Sequence, residues 1–171
     1  MARLNLHEYQ QDILARLQEV TANAGSTSSS RLGVEVGGQH WLINLRDISE
    51  VLPVPDISPV PLTRSWFLGM ANVRGNLYGI TDLAAFMGGP FTAMTAQSRI
   101  LLVHERYQVN AALLIDRLVG LRTLESMTVQ TAEPGEPDAH GEHYKDEHGQ
   151  VWQVLALEGL LTGSEFMQVA A

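Results

Sequence analysis

The densest group of side chains able to do chemistry is Asp138, His140, Glu142, His143 and the nearby His148. Two imidazoles three residues apart can hold zinc from one helical face, so the group would suit a metal-dependent hydrolase built on His140, His143 and His148. Pro134, Gly135, Pro137, Gly141 and Gly149 interrupt this stretch. It therefore reads as an acidic loop, whereas a metal site needs ligands held in place by supporting hydrogen bonds. The hydrolase is kept as the alternative to a binding protein. The sequence contains no His-Glu-x-x-His helix, no Gly-x-Ser-x-Gly elbow and no Gly-Lys-Ser/Thr phosphate loop. Asp82 and Asp116 fall near strand ends, and nothing in their pattern marks a general acid paired with a general base.

A second feature lies at Gly69-Met70-Ala71-Asn72-Val73-Arg74-Gly75, followed by Asn76-Leu77-Tyr78-Gly79-Ile80-Thr81-Asp82-Leu83. Gly75 permits a tight turn between two apolar runs. Asp82 can cap a following helix whose Leu83 and Phe86 share a face. A hairpin leading into a helix explains every residue of this element except Arg74, for which a turn has no evident need.

These elements must be carried by a body with a real core. The chain has 171 residues, of which 45% are hydrophobic, and 11 basic residues stand against 19 acidic ones for a net charge of -8. Such acidity argues against a sequence-independent grip on nucleic acid or anionic lipid. With no cysteine there is neither a disulfide framework nor a thiolate metal site. No apolar run is long enough to span a bilayer, and the first residues lack the apolar core of a signal peptide. The chain is read as cytoplasmic, without direct membrane insertion.

Leu6, Tyr9, Ile13, Leu17 and Val20 recur at spacings of three and four, and Asn5 with Glu8 can form a reciprocal capping box. Residues 1–30 are thus expected to form an amphipathic helix and a polar linker through Gly25-Ser26-Thr27-Ser28-Ser29-Ser30. Residues 31–167 form the second unit, with short strands expected around 31–36, 40–44, 99–104, 108–115, 118–121 and 150–154. Prolines 53, 55, 59 and 61 mark an irregular crossing. Two halves of this body are related. Gly75 to Ile80, with Leu83 and Phe86 after it, is matched in spacing by Gly149 to Val154 with Leu157 and Leu160. The match predicts two small barrels of approximate symmetry that share buried surface, with one pair of helix residues beneath each.

The run of Gly69, Asn72, Arg74, Gly75, Asp82 and Leu83 resembles the signature of CheW-like coupling domains, and the resemblance extends from roughly Arg31 to Met167. It implies a mainly β fold of two small five-stranded, SH3-like barrels side by side, preceded here by the N-terminal amphipathic helix. It also implies binding without covalent chemistry, with no catalytic residue, cofactor or metal. The implied partners are the cytoplasmic tip of a methyl-accepting chemoreceptor and the regulatory domain of a CheA-type histidine kinase, which would recruit the protein to receptor arrays at the inner membrane. The helical extension and Asn76-Leu77-Tyr78-Gly79 point to the branch of the family that serves type IV pili and twitching motility. By the same resemblance, Ile48, Glu50, Val51, Gly69, Asn72 and Arg74 border a groove for the receptor tip, with Arg74 as its polar anchor. Core burial competes with this role for Ile48 and Val51, and a solvated surface charge is the plainer reading of Glu50.

Overall fold

The computed structural model describes residues 30–130 and 143–170. The expected N-terminal helix and linker, and His140 with the residues around it, lie outside them. The described residues form β1 Ser30–Val36, β2 Gln39–Asn44, β3 Ile48–Pro53, β4 Phe67–Val73, β5 Asn76–Asp82 and β6 Arg99–Val103. They continue through β7 Ala111–Ile115, β8 Arg117–Thr123, β9 Thr128–Gln130, β10 His143–Lys145 and β11 Val151–Leu155. Three short α-helices, α1 Leu83–Phe86, α2 Leu157–Thr162 and α3 Ser164–Met167, and 3-10 turns at Leu45–Asp47, Glu105–Tyr107 and Leu124–Ser126 complete the set.

The strands build two sheets, one ordered β8-β1-β2-β11-β10-β9 and the other β3-β6-β7-β5-β4. The mainly β, two-sheet architecture agrees with the sequence reading. One sheet has the expected five strands and the other has six, because three-residue β9 adds to β10. The stretch read as a loop around His143 is also partly regular: His143–Lys145 is a strand and only the turn from Asp146 to Gly149 follows it. The glycines and prolines counted against structure there flank the short strand rather than interrupt it.

Neither sheet is one half of the sequence. The chain passes from β2 in one sheet through a 3-10 turn at Leu45–Asp47 to β3 in the other, and it returns between β7 and β8. Each sheet therefore joins a hairpin of one half to strands of the other, by the parallel pairs β5 with β7 and β2 with β11. The crossing is pinned by Asp47, which is 5% exposed and accepts from the Tyr107 hydroxyl at 2.6 Å and from the Arg106 guanidinium. Burial, followed by this bond to Asp47, raises the Tyr107 pKa above its ordinary value.

Side-chain alternation divides the core into three parts. Ile100, Leu102, Ala112 and Leu114 enter the interior of the five-stranded sheet with Ala71, Val73 and Ile80. Leu101, Val103, Leu113 and Ile115 point the other way and meet Leu32, Val34 and Ile43 of the six-stranded sheet. A third cluster, Leu42, Tyr144 and Trp152, belongs to the six-stranded sheet. β7 is buried along its whole length, and its unbroken Ala-Ala-Leu-Leu-Ile run suits a strand covered on both faces. Each fully buried Leu or Ile contributes about 1.5–3 kcal/mol. The helices differ from expectation, since Leu83 and Leu157 are buried in the same shared cluster, with Phe86 and Leu160 packed against it. They cover one junction because strand exchange brings both helix starts to it.

Candidate functional site

The two edge strands of the five-stranded sheet, β3 and β4, are far apart in its hydrogen-bonding order. Curling of the sheet brings them together, since Leu52 of β3 packs on the same interior as Ala71 and Val73 of β4. Across this seam Arg74 donates to both carboxylate oxygens of Glu50: Nη1 bonds Oε2 at 2.7 Å, and Nη2 bonds Oε1. The Glu50 side chain is 19% exposed, whereas that of Arg74 is 69% exposed. The bond to Glu50, and then its charge, raises the Arg74 pKa, and a guanidinium is in any case charged throughout the accessible pH range. Both Glu50 oxygens are engaged by the two terminal nitrogens of Arg74, while most of the arginine side chain stays exposed to solvent.

The rest of the signature explains how the arginine is held. Arg74 and Gly75 both have positive φ, 52° and 85°, which makes the two-residue turn that suits the twist of a hairpin. Asn72 Oδ1 accepts from the Gly75 amide at 2.9 Å and locks that turn. Gly69 has φ 140°, and a Cβ placed there would lie 2.1 Å from the Ser58 carbonyl oxygen. Ser58 and Met70 exchange backbone bonds of 2.8 and 2.9 Å. Only glycine permits that approach, at the bulge between Phe67 and Gly69.

The structure brings together Glu50 and Arg74 among the six expected site residues, and it places the others in supporting positions. Ile48 and Val51 are half-buried against the shared core. Gly69 is buried and Asn72 exposed, each with the backbone duty just described. Two readings are corrected: Glu50 is not a solvated charge, and Arg74 has a structural partner as well as an exposed face. Their separation of 24 residues leaves no local signal for the pair.

Asp82 caps α1 by accepting from the Ala85 amide at 3.3 Å. It is also 1% exposed and accepts from the Thr92 amide and hydroxyl, each at 2.8 Å, so it ties down the segment after α1. Of the candidate metal-ligand histidines, His143 sits in β10 opposite Gln153 and Gln130, and His148 lies in the next turn. The metal-ligand reading missed what that turn does. Asp146 accepts from the His148 and Gln150 amides and from the Trp152 indole at 3.0 Å. The Trp152 bond, chiefly, holds its carboxyl below the usual range. An Asp three residues before a Gly is a turn signal that could have been read.

The fold, the signature turn and the seam define a CheW-like domain, and the sequence matches that domain over residues 31–165. The chain belongs to the CheW-like family, whose members are scaffolding adaptors in chemotaxis signalling. It is 30% identical over 148 residues to protein PilI of Pseudomonas aeruginosa, a match covering 84% of this chain and 81% of that one. Chemotaxis protein CheW of Thermotoga maritima is 29% identical over 90 residues, 53% of this chain and 58% of its own. In three dimensions the chain superposes on the scaffolding protein TtCheW of Thermoanaerobacter tengcongensis with a TM-score of 0.62. That likeness covers 80% of this chain and 94% of the other at 18% identity, and it shows the shared fold. Among the described residues no helix is long and apolar enough to cross a membrane.

Proposed function

We propose that this protein is a non-enzymatic adaptor of the PilI type, coupling a chemoreceptor to a CheA-type histidine kinase in the control of type IV pilus twitching motility. The family membership and the extent of the PilI match support the system. The Arg74–Glu50 bridge is the observation that supports the site. It presents an exposed cation at the seam, while Ile48 and Val51 of the same strand as Glu50 are half-buried on its other face against the shared core. A receptor tip is a helical hairpin, and an apolar strip with one fixed polar anchor is a surface on which a helix can lie. Arg74 would bond a carboxylate or a helix-terminal carbonyl, while Glu50 fixes its direction. The adaptor works in the cytoplasm and reaches the inner membrane through the receptor.

A charge exchange tests this reading. Arg74→Ala is expected to leave thermal stability close to the parent's, as loss of an exposed ion pair does, and to weaken binding to a soluble receptor-tip fragment roughly tenfold to a hundredfold. Glu50→Arg combined with Arg74→Glu rebuilds the ion pair with its polarity reversed. That double variant should recover thermal stability without recovering receptor binding. If it binds the receptor normally, or if Arg74→Ala does, the pair only closes the sheet.

A further inference from the structure

A cavity of about 370 Å³ opens where the β1–β2 turn, the β7–β8 link and the segment after α1 meet. Gly37, Gly38, Phe91, Ala93, Asp116 and Arg117 line it. Phe91 is 62% exposed and the nearby Met94 54% exposed. These apolar groups sit on a pinned backbone rather than a loose one. Asp82 holds Thr92 from beneath, Ser98 Oγ bonds the Ala93 carbonyl at 3.2 Å, and the Thr95 amide bonds Ser98 Oγ at 2.9 Å. The cavity is acidic, since Arg117 is engaged with Glu35 at 2.6 Å. Asp116 Oδ2 accepts only from the Gly38 amide, at 3.2 Å, and its second oxygen has no partner among the described residues.

We propose that residues 5–20 of the same chain dock on this surface as an amphipathic helix, laying Leu6, Tyr9, Ile13, Leu17 and Val20 over Phe91 and Met94 and directing Arg16 to Asp116. The helix is the one expected from the sequence pattern, and a stripe of that kind needs cover. At about 100° per residue, Arg16 borders the stripe, whereas Glu8, Asp12 and Glu19 fall further round the polar face. Arg16 is the sole Lys or Arg among residues 5–20. The reach is sufficient. β1 runs roughly 20 Å from Ser30 to Val36, next to the cavity, and the chain from Val20 to Ser30 can span up to roughly 34 Å. Leu62 is the most exposed large apolar residue among the described residues, at 87%, but it stands in the turn between β3 and β4 and does not line the cavity that Asp116 borders.

The absence of cysteine makes a site-specific label simple. A nitroxide attached at Gln10→Cys, beside the stripe, is read in the full chain through the Met94 methyl and the Gly37 and Gly38 amide signals. Docking predicts that these signals lose most of their intensity, and that Phe91→Ser restores them without unfolding the protein. Unchanged Met94 and glycine signals, or broadening centred on another face, would overturn the proposal. So would equal broadening when labelled chains are mixed with unlabelled, isotope-enriched ones, since the helix would then cover a second copy. A normal receptor interaction in Phe91→Ser would separate this contact from the Arg74 site.

Discussion

The two related hairpins, β4–β5 and β10–β11, perform the same turn with different residues. Gly75 and Gly149 both adopt positive φ, 85° and 81°, and Asn72 and Asp146 each accept turn amides. The strands that follow, β5 and β11, each pair in parallel with a strand of the other half and lead into a helix. Beyond these shared parts the copies diverge. At the position of Arg74 with its Glu50 partner the second copy has His148, which is exposed beside Glu147. Where Asp82 caps α1, Ala156 precedes α2 without a side-chain cap. The turn and the helix start are thus what the fold requires twice. Arg74–Glu50 is an addition to one copy, so the fold does not require it at both hairpins.

The largest effect should come from glycine. Gly69→Ala, which drives a Cβ into the Ser58 carbonyl, is expected to cost about 4 kcal/mol or more or to abolish folding. Gly149→Ala should cost about 1 kcal/mol, because the nearest atom to its Cβ, Lys145 Cε, is 3.7 Å away and only the positive φ opposes it. Equal midpoints in denaturant for the two variants would refute the distinction.

The helix starts give the next contrast. Asp82→Ala removes a cap and leaves Thr92 without its acceptor, so a loss of about 2–3 kcal/mol is expected. Ala156→Asp should instead stabilise by up to about 1 kcal/mol by adding the missing cap. Chemical unfolding of both variants measures the difference, and a destabilised Ala156→Asp would mean that α2 has no room for one.

Acid should act on the second hairpin. The Asp146 carboxyl is held below its ordinary range by the Trp152 indole first, so its contribution is fully present above the unfolded-state pKa, about 3.9, and fades as pH falls through the lower folded value. Thermal unfolding of Asp146→Asn should therefore lie below the parent near neutral pH and converge with it in acid. Parallel curves across that range would remove the carboxylate from the account.

The smallest effect is expected at the strained residues. Leu62 and Arg74 are non-glycine residues at φ 59° and 52°, a region that asparagine tolerates better. Leu62→Asn should stabilise by about 0.5–1 kcal/mol, whereas in Arg74→Asn the relief is offset by loss of the bond to Glu50 and the net change is near zero. A stability gain at Arg74 as large as that at Leu62 would show that the ion pair contributes nothing to folding.

Local chemistry was sufficient for much of the fold. Gly75 marks a turn because glycine takes positive φ without strain, Asp82 marks a helix start because its side chain can reach a free amide, and the proline series excludes a central strand. The match between the two halves is likewise legible, since turn, strand and helix spacings repeat. Strands β9 and β10, three residues each, carried too little alternation to be seen. Sequence also could not reveal that each sheet mixes both halves, because parallel pairing joins residues far apart in the chain. The same reason hid the pairing of two of the candidate site residues. Glu50 and Arg74 lie on opposite edges of a sheet, and only its curl, driven by burial of one shared interior, turns an apparently idle arginine into an oriented cation.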